Sequence, residues 1–170
     1  MALVDSGSDF PTTSQVAARA GVSVRVLFHH FHGTRALMVA AVVLQSERHR
    51  DVLFTVPPRG SPDLRVRALC RQRRIYFEGL APVVRMAGSR RDAARDLEAL
   101  MAGDRAHLRR QLAATLAPEV AARGAEADSI LDALQDTTGW EAWRALRDVR
   151  GLSAAGAERA MAYAARRMLG

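Results

Sequence analysis

An all-α fold, a helix-turn-helix head followed by a helical body, is what this 170-residue sequence predicts. Three observations lead there. Hydrophobic residues make up 49% of the chain but aromatics only 5%, and alanine, the strongest helix former, is the main filler. Apolar residues recur at three- and four-residue spacing through most of the length. No β-branched run alternates at period two over a useful distance. The length suits one domain, or a small head at 1–45 and a larger body at 46–170.

The head is written in residues 12–37. Thr12 or Thr13 can cap a first helix by accepting from an otherwise unpaired N–H, and Val16 and Ala17 supply its inner side. Ala20-Gly21-Val22 makes a turn, with Gly21 free to adopt the positive φ that ends a helix. Ser23 caps a second, short helix whose inner face carries Leu27 and Phe31 at four-residue spacing. Val24, Arg25, Phe28 and His29 are left on or near its outer face, at the end such helices present to base edges.

This stretch resembles the DNA-binding domain of the TetR family of bacterial transcriptional repressors. The run Val-Ala-Ala-Arg-Ala-Gly-Val-Ser at 16–23 is similar to that family's turn, and Leu27-Phe28-His29-His30-Phe31 to its recognition-helix ending, Leu-Tyr-X-His-Phe. Gly33-Thr34-Arg35-Ala36-Leu37 stands where the family has Ser-Lys-Glu-Ala-Leu. Phe28 occupies the usual Tyr position without its phosphate-bonding hydroxyl, and Thr34 stands where a Lys commonly meets the DNA backbone. The family's first helix has only Met1 to Pro11 to occupy here, at most one turn. Either the start codon lies further upstream or the head is degenerate; the intact motif favours the first.

The resemblance implies a homodimer that reads a palindromic stretch of double-stranded DNA and is released by a small-molecule effector. Phosphate contacts would supply most of the affinity and base edges the discrimination. Arg25 is the expected base contact, because its forked donors match guanine O6 and N7. Ser14 and Gln15 are placed to touch the backbone or an outer base, and Thr13 and His29 are phosphate candidates. A rival reading is a TetR-like dimer that binds a small molecule or a protein but no longer DNA.

Behind the head, a long helix is expected from Gly33 through Leu37, Ala41 and Leu44 to about Arg50. Val56-Pro57-Pro58-Arg59-Gly60-Ser61-Pro62 breaks it. Asp63 can cap a helix carrying Leu64, Leu69, Cys70, Tyr76 and Phe77 to about Gly79, and Ala81-Pro82 opens a short one ending near Gly88. Ser89 caps a longer helix with Leu97, Leu108, Leu112 and Leu116 in one stripe, and Pro118 and Gly124 punctuate the loop after it.

A further helix is expected from Asp128 to Val149, broken by Gly151-Leu152-Ser153, and then a last one. The last helix has a face of Ala154, Ala157, Ala160, Met161, Ala164 and Met168, and small side chains of this kind let helix axes approach closely. The segment Trp140-Glu141-Ala142-Trp143-Arg144-Ala145-Leu146 resembles C-terminal segments of some TetR-type regulators, in which the last two helices of each subunit form the dimer interface. By that resemblance Leu134, Leu146, Ala157, Met161, Ala164 and Met168 are interface candidates. An effector pocket in the body could draw on Tyr76, Phe77, Met86, Met101, Trp140 and Trp143.

The formal charge is +7 with a pI near 11.2, which suits an anionic partner. The surplus is largest behind the motif, around Arg65, Arg67, Arg71, Arg73 and Arg74, and reads first as a solvated helix face. Cys70 is the only cysteine, so no internal disulfide is possible and a reducing compartment is expected. The longest apolar run, Ala36 to Leu44, is too short to span a bilayer, and no signal peptide is visible. The cytoplasm is the expected location.

His29, His30 and His32 lack carboxylate or thiolate support nearby, so no metal is expected. No cofactor is expected either. The chain has no nucleophile elbow, glycine-rich phosphate loop or recognisable Ser/His/Asp order, which argues against an enzyme.

Overall fold

The computed structural model describes residues 12–53, 59–88 and 94–170, with backbone only at Met86, Gly88 and 94–97. Among these residues every regular element is helical. α1 (Thr13–Ala20) and α2 (Val24–His30) lead into α3 (Thr34–Arg50), which ends in a 3₁₀ turn at Asp51–Leu53. The long α4 (Pro62–Gly88) and α5 (Ala94–Thr115) follow, then the short α6 (Ala117–Ala121) and a 3₁₀ turn at Gly124–Glu126. α7 (Ala127–Thr138), α8 (Trp140–Arg144) with a π-helical turn at Ala145–Val149, and α9 (Ala154–Leu169) complete the chain. It divides into two compact units, residues 1–48 with 79–101 and residues 49–78 with 102–170.

In the first unit Ala17, Leu27, Met38 and Val42 are buried, as are Leu80, Val83, Val84 and Ala87 from the second half of α4. Gln45, also buried, donates its Nε2 to the Gly79 carbonyl at 2.9 Å. The sequence predicts a helix end near Gly79 and a fresh start at Pro82; the structure instead carries α4 straight through Pro82. An interior proline costs about 3 kcal/mol. Leu80 and Val83 on either side of it are wholly buried, and each such side chain contributes about 1.5–3 kcal/mol. Burial wins.

The second unit is organised around a charge. Arg73 is completely buried, and its five N–H donors all find neutral acceptors. Nε donates to Gln111 Oε1 at 3.1 Å; Nη1 donates to the carbonyl and hydroxyl of Thr138 at 3.0 and 2.5 Å. Nη2 donates to the Leu108 carbonyl at 2.6 Å and to Gln135 Oε1 at 3.3 Å. Gln111 passes the network on, donating to the Leu53 carbonyl and to Gln72 Oε1, both at 2.9 Å. One side chain of α4 is thus tied to α5 and to the C-terminal end of α7. Burial pulls the guanidinium down to about 10 and pushes the neighbouring Cys70 thiol up to about 12.

This corrects the expectation of a solvated arginine face. Arg73 is internal, and Arg65 is mostly covered, donating to the Thr115 carbonyl at 3.1 Å and pairing with Glu119. Arg74 bridges Glu158 and Glu78, each at 2.6 Å. Arg67 faces solvent but pairs with Asp63 at 2.8 Å, and Arg71 is exposed. Asp63 is not the cap of α4 either. The hydroxyl of Ser61 accepts from the Leu64 N–H at 3.4 Å, while Asp63 is held by Arg67 and Arg166, which lower its carboxyl below the usual range. The expected cap Ser89 lies outside the described residues.

The helix expected over 128–149 is broken at Gly139, whose backbone is extended at φ −81 and ψ −178. A Cβ there would sit 2.7 Å from the Gln135 carbonyl oxygen, so only glycine fits unshifted. The break turns Trp140 and Trp143 inward against Phe77, at ring-centroid distances of 5.7 and 6.0 Å. α9 then packs on α7, burying Ala157, Met161, Ala162 and Ala165, and Arg123 donates to the last carbonyls of α9 at Met168 and Leu169.

Two stability measurements follow from this arrangement. Arg73→Lys keeps the charge but has three donors for five acceptors, so at least two buried bonds go unmade. Urea unfolding should show a loss of about 2 kcal/mol or more; an unchanged midpoint would mean the carbonyl cage is not needed. Gly139→Ala should cost about 1–3 kcal/mol by overpacking and alter the near-ultraviolet circular dichroism of the tryptophan pair. An unaltered spectrum and midpoint would show that the bend tolerates a side chain.

Candidate nucleic-acid interface

Local chemistry builds the head. Thr12 and Gln15 form a capping box: Thr12 Oγ1 accepts from the Gln15 N–H at 3.2 Å, and Gln15 Oε1 accepts from the Thr12 N–H at 2.8 Å. α1 ends in a left-handed glycine, Gly21 at φ 68. The Val22 N–H returns to the Ala17 carbonyl at 3.0 Å and the Gly21 N–H to Ala18 at 3.2 Å, the paired bonds of a Schellman motif. Ser23 Oγ accepts from the Val26 N–H at 3.2 Å and starts α2. α1 packs on α2 through the buried Ala17 and Leu27, which fixes the angle of the second helix.

α2 is seven residues long, and one residue of it, Leu27, is buried. At 100° per residue, Arg25 and His29 fall on the side opposite Leu27, with Val26 and Phe28 flanking them. All four are exposed, Val26 at 42% and Phe28 at 38%. Val22 in the turn is also exposed. Ser14 and Gln15 are exposed on α1; Thr13, Val24 and Thr34 are half-buried. The side-chain oxygen of Gln15 is committed to the capping box, which leaves its Nε2 to face a partner. The His29 and His30 rings meet edge to face at 5.7 Å.

Electrostatics favour an anion. Residues 10–46 contain no Asp or Glu, while Arg19, Arg25 and Arg35 lie within them. Arg19 and Arg25 are exposed. Among the described residues, no three His, Cys, Asp or Glu side chains come together in a way that could hold a metal ion. The surface offered is therefore a short, acid-free helix with Arg25 and His29 on its crest.

Residues 7–41 match the model of the bacterial regulatory proteins, tetR family. Over those residues the chain is similar to the N-terminal DNA-binding head of that family. Within the match, α1 and α2 stand as the two helices of a helix-turn-helix. The match ends at residue 41 and so speaks for the head alone, and the residues behind it are described from the structure alone. No curated protein and no solved structure gives a significant match. Among the described residues no single helix is long and apolar enough to cross a membrane. The residues Met1 to Pro11, on which the question of the family's first helix turns, lie outside the described ones.

In the body of the chain, Tyr76, Phe77, Trp140 and Trp143 come together. Phe77 touches the other three rings at 5.7–6.0 Å, and all four residues are buried. The Arg147 guanidinium stands 5.7 Å over the Trp143 ring. Met101 is buried in the first unit, and the Met86 side chain is outside the described residues. Of the six interface candidates, Leu134, Ala157 and Met161 are at most 1% exposed within the single chain, used up by the packing of its own helices. They are not available to a partner. Leu146, Ala164 and Met168 are half-buried, and Tyr163, which the sequence reading passed over, is 61% exposed on α9.

Sequence reasoning also passed over Val26 and Val22. The signal was present: Val26 follows Arg25 directly, a position that helical spacing turns away from Leu27. Replacing Ser23 with Ala should remove the one side-chain cap of α2 and destabilise the head by about 1 kcal/mol. Native-state hydrogen exchange over Val24–His30 should speed up by roughly fivefold. No change there would show that tertiary packing alone holds the helix.

Proposed function

We propose that this protein is a cytoplasmic homodimeric repressor that binds a palindromic operator through α2 and leaves it when a small-molecule effector enters the body. The observation that carries the reading is the crest of α2, where exposed Arg25 and His29 stand in an acid-free segment of a TetR-family head. Arg25 reads guanine through its forked donors; Ser14, the Gln15 amide, Thr13, His29 and Thr34 meet phosphates or the outermost base. One seven-residue helix reads only a few base pairs, so a two-fold pair of heads is needed for a site long enough to be specific.

For dimerisation we favour the outward face of α9, with Tyr163, Ala164 and Met168, joined by Leu146. Its support is an exposed tyrosine among half-buried small residues, on the face that α7 leaves open. For the effector we favour the aromatic cluster of Phe77, Trp140 and Trp143, beside the irregular turn at Ala145–Val149. Helical irregularities of this kind often accompany functional sites because they loosen the hydrogen-bond ladder. Ligand entry there shifts an equilibrium between two arrangements of the body, which is how the head is released.

The test is fluorescence anisotropy on the DNA upstream of its own gene, across a salt series. Saturable binding that exceeds scrambled DNA, with log affinity falling linearly in log salt, is expected. A folded protein with no preference and no salt dependence would favour the rival dimer that has lost DNA binding. Arg25→Ala should remove about 1–3 kcal/mol of discrimination while keeping most non-specific affinity; an equal loss on both DNAs would assign Arg25 to the backbone. Tyr163→Glu with Ala164→Glu should sediment as a monomer, and a surviving dimer would place the interface elsewhere.

A further inference from the structure

The recognition helix carries apolar surface that its cations do not explain. Val26 is 42% exposed and Phe28 38%, and both flank the crest formed by Arg25 and His29. Val22, four residues before Val26, adds a third exposed side chain at 38%. The other exposed large hydrophobics among the described residues lie outside α2 and its turn, at Leu44 on α3 and at Leu64, Val149 and Tyr163. Apolar groups on an isolated helix this short contribute nothing to its own stability and lose free energy in contact with water. They need something to cover them.

The charge around them selects the occupant. No acid occurs between residues 10 and 46, so the patch sits in a positive field that disfavours a basic partner and attracts a polyanion. The polyanion that also offers small apolar knobs is duplex DNA, whose major groove displays the C5-methyl of thymine beside the hydrogen-bonding edges. A valine has the two-methyl end that packs against such a group. Its neighbour Arg25 carries the fork that guanine needs.

We infer that α2 reads thymine methyl groups through Val26 and Phe28, on either flank of the base read by Arg25. This rests on the DNA-binding reading above and adds the chemistry of the half-site. A guanine contacted by Arg25 is bordered by thymines, in the same or the opposite strand, whose methyls are buried on binding. Burying one methyl corresponds to a factor of roughly four in affinity. The contact is silent toward cytosine and deoxyuridine, which lack the methyl.

The experiment begins with selection of bound duplexes from a random pool by the full chain. The selected duplex is then resynthesised with deoxyuridine replacing each thymine in turn, a change that deletes one methyl and leaves pairing intact. Anisotropy should show a roughly fourfold loss at one or more positions adjoining the Arg25-dependent base pair. In Val26→Ala the penalty at one of these positions should vanish, and in Phe28→Ala the penalty at another. Circular dichroism confirms that the variants fold, and the deoxyuridine series on the unaltered protein stands without them. Enriched duplexes with no thymine beside that base pair, or with no deoxyuridine penalty, overturn the inference while leaving DNA binding intact. A selection that enriches no sequence overturns both.

Discussion

The second unit of this protein depends on a buried cation, Arg73, whose hydrogen-bond partners among the described residues are all neutral. Taking a guanidinium out of water costs several kcal/mol, and Arg73 offsets that by spending all five N–H donors on carbonyl, amide and hydroxyl oxygens. Two of the acceptors belong to Thr138, at the last turn of α7, where the main-chain carbonyls have no helical partner and carry the negative end of the helix dipole. Arg73 therefore completes a helix end from a different helix. The same bonds set α5 beside α4 through Leu108 and Gln111. A side chain with fewer donors or a softer geometry could not do both.

The bend at Gly139 follows from this. With the Thr138 carbonyl engaged by Arg73, the chain leaves α7 in an extended conformation in which a Cβ at position 139 would meet the Gln135 carbonyl oxygen. The exit angle then points Trp140 and Trp143 at Phe77, and the cluster closes against α4 one turn beyond Arg73. Polar and aromatic cores are neighbours on the same helix. A ligand that parts the rings therefore acts on an element whose position is set by hydrogen bonds one helical turn away along α4, which gives the proposed effector a rigid lever.

The head is built on the opposite principle. Its elements are short and mostly exposed, and its angles are set by caps: a Thr12–Gln15 box, a left-handed Gly21 and a Ser23 hydroxyl. Such local bonds hold a backbone while leaving side chains free to meet a partner. The apolar flanks of α2 add to what it offers: with Val26 and Phe28 exposed beside Arg25, the helix presents apolar surface as well as charge.

Much of this was written locally and was legible in the sequence. Gly21, Ser23 and Leu27 predict the turn, the cap and the buried side of α2, because each acts within a few residues of itself; the structure places them so. The all-helical class and the likeness of residues 7–41 to the tetR-family head follow from the same short-range signals. What the sequence by itself did not determine lies where distant segments meet. Arg73 reads as one of five arginines on a wet face until α5 and α7 are brought to it, and Pro82 reads as a helix stop until burial of Leu80 and Val83 outweighs it. Gly139 likewise sits inside a helical pattern, and its break is decided by where the Thr138 carbonyl is bound. Propensity and capping are sums over neighbours in the chain. Burial and hydrogen-bond satisfaction are set by neighbours in space, and only the tertiary structure supplies those.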